Sequence, residues 1–118
     1  MNVLDWLPTA LASEEVYVPP AFSRWLATGE QYFGGWFLLE EDAAAVNRDK
    51  LGQLYPGRKI LPFARRWDSD DVACLVLNDP EHPRGTVLLI HDGAMRGVEV
   101  EMVMNSFAQW FEQAQEEL

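Results

Sequence analysis

The second half of the chain alternates between apolar runs of strand length and short polar breaks. KILPFARRW (59–67), VACLVLN (72–78) and TVLLIHD (86–92) follow one another with only turn-length segments between them. The last two are continuously apolar at their centres, which predicts strands buried on both faces. NDPEHPRG (78–85) is dense in turn residues and reads as a hairpin-type loop, and HDGAMRG (91–97) is the next turn. VEVEMV (98–103) then alternates, with Val98, Val100 and Met102 on one face and Glu99 and Glu101 on the other, the pattern of a half-exposed strand. At the end of the chain the period changes. Phe107, Trp110, Phe111, Ala114 and Leu118 form one helical stripe, and Ser106 with Gln109 three residues on makes a capping box.

The first half is less regular. In VPPAFSRWLATG (18–29), Pro20 suits a first helical turn, Phe22, Trp25 and Leu26 recur at helical spacing, and Gly29 is a C-terminal stop. Gly34-Gly35 breaks the chain before WFLLE (36–40), a short strand. The alanines of EEDAAAVNRDKLGQLY (40–55) favour a helix. Asn47 and Gly52 weaken it, so a short helix followed by irregular chain is expected, closed by a turn at Pro56-Gly57.

Four or five consecutive strands with short connections favour an antiparallel sheet. Helices before and after the strands, rather than between them, favour α+β over doubly wound α/β. The expectation is one domain over residues 1–118. It has a central, mainly antiparallel sheet of about four to six strands, with N-terminal helices and a C-terminal helix packed on it.

Composition narrows the class. Of the 118 residues 48% are hydrophobic and five are Trp, which argues against overall disorder. No run approaches the about 20 uncharged apolar residues of a membrane span. The segment MNVLDWLPTALA lacks a basic start and carries Asp5, which does not fit a signal peptide. Cys74 is the single cysteine, so no intrachain disulfide can form, and a cytoplasmic protein is expected. The net charge of −10 argues against direct nucleic-acid binding, which needs a basic stripe, and permits attraction to a basic partner. Solubility alone is the plainer use of such a charge. The charge is unevenly spread: residues 1–47 sum to −6, residues 48–66 to +5 and residues 67–118 to −9. Only the basic middle segment is suited to an acidic surface.

The cluster RRWDSDD (65–71) interrupts two core strands and raises the question of chemistry. Four readings compete: a metal loop, a catalytic carboxylate cluster, a solvated turn, and a surface shown to a partner. A calcium loop counted from Asp68 needs Gly at the sixth position and Glu at the twelfth, where the chain has Ala73 and Asp79. His82, His91 and Cys74 have no zinc spacing. His91 beside Asp92 resembles half a dyad, but neighbours along a strand point to opposite faces. Ser13, Ser23, Ser69 and Ser106 lack a nucleophile-elbow context, and no phosphate-binding glycine motif is present. Carboxylates are abundant, which keeps a glycosidase-like pair open. No catalytic, cofactor-binding or metal residue is therefore nominated.

Among the tryptophans, Trp110 and Trp25 read as core by their spacing, while Trp6, Trp36 and Trp67 have no assigned face. Trp67, rimmed by Asp68, Asp70 and Asp71, suits an interface hot spot. A ring folded back over the sheet edge is the structural alternative. These four residues are the candidate partner-binding set.

The order of these features resembles the SUKH superfamily, the Smi/Knr-type immunity-like domains. The matching residues are Pro62, Phe63 and Ala64, then Asp70 or Asp71, then Cys74, His91, Ser106, Phe107, Trp110 and Phe111. The resemblance covers roughly half the chain, 58–115, with a looser match at VPPAFSRWLATG. The family often has Gly-Asp in the turn where this chain has Ser69-Asp70-Asp71. The resemblance implies an α+β fold and a non-enzymatic protein-binding role without cofactor. Its most direct form is an immunity protein neutralising a basic toxin of nuclease or deaminase type. A Smi/Knr-type regulatory domain without a toxin partner is the alternative. A small hydrolase using His91 and carboxylates is the rival from a different class.

Overall fold

The computed structural model describes residues 6–91 and 100–116, apart from the side chains of Glu101 and Glu116. Four helices and six strands follow in the order α1 (Trp6–Ser13), α2 (Pro20–Leu26), β1 (Tyr32–Phe33), β2 (Trp36–Leu38), α3 (Glu41–Leu54), β3 (Lys59–Arg66), β4 (Asp71–Asn78), β5 (Val87–His91), β6 (Val100–Met104) and α4 (Phe107–Glu116). The strands form a single sheet in sequence order, and every neighbouring pair is antiparallel. The fold is α+β, as the pattern of runs predicts.

Each sheet face has its own core. On one face Leu7 and Leu11 of α1, Phe22 and Leu26 of α2, and Phe107, Trp110, Phe111 and Ala114 of α4 pack on Trp36, Leu38, Phe63, Ala73, Leu75, Val87 and Leu89. The stripe of α4 is thus buried, although Leu118 lies outside the described residues. Its aromatics interlock edge to face: Phe63 and Trp110 lie 4.8 Å apart at 89°, and Phe22 and Phe107 lie 4.9 Å apart at 85°. Such geometry adds roughly 0.5–1.5 kcal/mol per pair beyond the area buried. Ser106 caps the helix as expected, accepting the Gln109 amide at 3.1 Å. The Gln109 side chain reaches back one residue further, to the Asn105 amide at 2.7 Å.

On the other face Leu51 and Tyr55, from α3 and its C-terminal boundary, cover Ile60, Val72, Cys74, Val76, Leu88 and Ile90. Cys74 is a buried free thiol. β4 and β5 are therefore buried on both faces, which is why their sequences are continuously apolar.

Four details differ from the sequence expectations. First, α3 lies between strands and runs 14 residues through both Asn47 and Gly52. Asn47 is held in place: its Nδ2 donates to Ala43 O at 2.8 Å, and its Oδ1 accepts from Arg65 at 2.7 Å. Tertiary bonding offsets the weak helix propensity there. Second, Gly34-Gly35 does not simply break the chain. It is the two-residue turn of a hairpin, with Phe33 opposite Trp36. Gly34 has φ 60°, which favours glycine. Third, β6 does not keep one alternating face. Leu89 pairs with Met102 but Ile90 pairs with Val100, so Glu101 sits in a bulge. Val100 packs on the α3 side, on the opposite face from Met102. Val98 and Glu99 lie outside the described residues, as do residues 92–97 of the turn after His91. Fourth, Trp25 is only half-buried against the core.

Candidate functional site

The β1–β2 turn and the β3–β4 turn lie side by side at one end of the sheet, because β2 pairs with the last residues of β3. Arg66 and Trp67 of the β3–β4 turn meet the glycine pair there.

Arg66 lies against the buried Trp36, its Cζ 5.3 Å from the ring centroid. Its guanidinium also binds Asp68 in a fork, Nε to Oδ1 at 2.9 Å and an Nη to Oδ2 at 3.3 Å. This hydrogen bond holds the Asp68 carboxyl below the usual carboxylate range. Gly35 makes room for the arrangement, since an added Cβ would stand 2.9 Å from Arg66 Cζ.

Trp67 is fastened from behind. Its amide donates to Gly35 O at 3.2 Å, and its indole N–H reaches Gly34 O at 3.4 Å. The residue is 63% exposed. It is therefore not folded into the core: its backbone and indole N–H are anchored on the β1–β2 turn while most of the residue stays exposed.

Asp71 points elsewhere. It stands opposite His91 across β4 and β5, and its Oδ1 lies 3.0 Å from His91 Nδ1. Sequence reasoning paired His91 with Asp92 and found the geometry poor; the cross-strand partner twenty residues away was visible only once register was fixed. Asp71 is also the least exposed of the three, with 19% side-chain exposure against 45% for Asp68. Asp68 is bound by Arg66 and Asp71 by His91. Asp70 is exposed and makes no ion pair among the described residues.

The two remaining tryptophans without an assigned face are also placed. Trp36 is buried and faces Trp110 at 5.8 Å. Trp6 is part-buried and donates its indole N–H to Leu39 O at 2.9 Å.

A His–Asp pair is the orienting arm of a nucleophilic site. Three candidate nucleophiles have other contacts: Ser69 Oγ accepts the Asp71 amide at 3.3 Å, Ser106 caps α4, and Cys74 is fully buried. Among the described residues no three His, Cys, Asp or Glu side chains come together to hold a metal ion. Among those residues, too, no helix is long and apolar enough to cross a membrane.

Comparison of the chain with models of protein families, with curated proteins and with solved structures finds no match. The functional reading therefore rests on the site itself and on the sequence resemblance.

Proposed function

We propose that this chain is a non-enzymatic protein-binding domain of immunity type, which captures a basic partner through the β3–β4 turn. The observation that carries the reading is Trp67: a large aromatic, 63% exposed, anchored through its backbone and indole to the neighbouring turn. Binding energy at protein interfaces concentrates on such residues. An anchored ring also loses less freedom on binding than a free one, which lowers the cost of association. Asp70 beside it offers a carboxylate without an internal partner among the described residues, suited to a lysine or arginine of the other protein. The net charge of −10 would steer a basic partner toward the surface and raise its on-rate. The SUKH resemblance supports a bacterial toxin domain of nuclease or deaminase type as that partner, with the cytoplasm as the place of encounter.

The test is affinity capture with the wild-type chain and with Trp67→Ala as baits, followed by titration of the purified captured protein. The reading expects a basic protein bound by wild type and at least about 30-fold more weakly by Trp67→Ala, the loss of a hot spot of about 2 kcal/mol. Equal affinity for both baits contradicts it.

The His91–Asp71 pair favours a second reading, a small hydrolase that uses His91 as base. That reading requires turnover of an ester, phosphoester or glycoside substrate that disappears in His91→Ala. The immunity reading expects no turnover from either protein.

A further inference from the structure

Seven residues back along β3 from Arg66, about 23 Å at strand spacing, the sheet and α3 enclose a second surface of opposite character. A cavity of about 520 Å³ lies between the C-terminal half of α3 and the start of β3. Its lining includes two apolar residues, the buried Ile60 and the half-buried Leu77 of β4. Its rim is cationic. Arg48 from α3 and Lys59 from β3 are exposed and make no ion pair among the described residues. Arg58 also lines it, with its Nε held by the buried Asp79 carboxylate at 2.6 Å. Asp49 is the one carboxylate of the lining. Gly52 leaves the α3 wall low, since a Cβ there would meet nothing within 4 Å.

We propose that this groove docks an acidic segment of a protein partner, an extended stretch in which carboxylates flank one aliphatic or aromatic side chain. The complementarity is twofold. The carboxylates meet Arg48 and Lys59, and the apolar side chain covers the half-buried Leu77. Segment 48–66 is the part of this acidic chain with a positive sum, and the fold divides it. Arg65 bonds to α3, Arg66 serves the Trp67 end, Arg58 is paired with Asp79 and Lys50 does not line the groove, whereas Arg48 and Lys59 do. Nucleic acid fits less well. Two cations beside a carboxylate, in a molecule of net charge −10, make no backbone-tracking stripe, and the apolar Leu77 has no use for phosphates. The inference does not depend on the Trp67 reading, because the two surfaces lie at opposite ends of β3.

The experiment is fluorescence anisotropy with a labelled peptide, Glu-Asp-Glu-Leu-Glu-Asp-Glu, titrated with the full chain. Saturable binding is expected. It should weaken about ten-fold or more in the double variant Arg48→Glu, Lys59→Glu, weaken when the peptide leucine is replaced by serine, and fall as salt screens the charges. It should be unchanged in Trp67→Ala, which separates this inference from the preceding one. Amide shifts of the labelled wild-type protein should centre on residues 48, 52, 59 and 60, so the result stands even if the double variant unfolds. No saturable binding, equal binding by a folded double variant, shifts centred elsewhere, or tighter binding of an oligothymidylate would overturn the proposal. So would a change in sedimentation of the double variant without peptide binding, which would assign the groove to a second copy of this chain.

Discussion

Asp79 shows how one residue holds a loop. Its side chain is 1% exposed at the start of the β4–β5 connection. Burial pushes its carboxyl up, but the Glu81 amide at 2.8 Å and the Arg58 guanidinium outweigh that and bring it below its ordinary value. His82 stands beside the same carboxylate, its Nδ1 3.6 Å from Oδ2. The linkage has a definite sign. A carboxyl lowered in the folded state binds fewer protons there than in the unfolded chain. Its contribution is complete above the unfolded value near 3.8 and is lost as pH falls through the lower folded value. Acid unfolding of the wild type should therefore steepen below about pH 4. Asp79→Asn should flatten that limb when melting temperature is followed against pH, and an unchanged acid limb would contradict the assignment. None of this was legible beforehand, when Asp79 was one more residue in a run of turn formers. Glu81 and His82 are its neighbours in the same loop, but Arg58 comes from the α3–β3 turn, and only the fold brings that cation to it.

At the scale of elements, α3 is the informative case. Local propensity expects a short helix, yet tertiary contacts carry it past Asn47 and Gly52, with Leu51 and Tyr55 buried beyond. Gly52 contributes nothing to that packing. It is exposed, and an added Cβ would touch nothing within 4 Å. Gly52→Ala should therefore raise stability by about 0.5–1 kcal/mol, measured by urea unfolding at constant m-value. A loss of stability would mean that the helix is strained at that point. The strands and α4 were readable because their burial is simple: two-sided burial gives continuous apolar runs, and one-sided helical packing gives one stripe. β1 and the β6 bulge were not, since a two-residue strand has no period of its own and a bulge shifts phase without changing composition.

The whole molecule sorts its charge by the two ends of β3. The basic segment splits, Arg66 braces the Trp67 turn, and Arg48 and Lys59 face a groove at the far end. The sequence indicated the turn as a candidate site, because a Trp among aspartates between two core strands is difficult to bury. It did not indicate which aspartates are committed internally or that His91 holds one of them, since the partners depend on side-chain geometry and on strand register. The central claim is that the anchored Trp67 turn is the surface that meets a partner. Hydrogen–deuterium exchange of the chain, free and in complex with the captured protein, tests this most directly. The account predicts new protection concentrated at residues 33–36 and 66–71, with the amides of α4 unchanged. Protection confined to other surfaces, with residues 66–71 exchanging as fast in the complex as in the free chain, would contradict it.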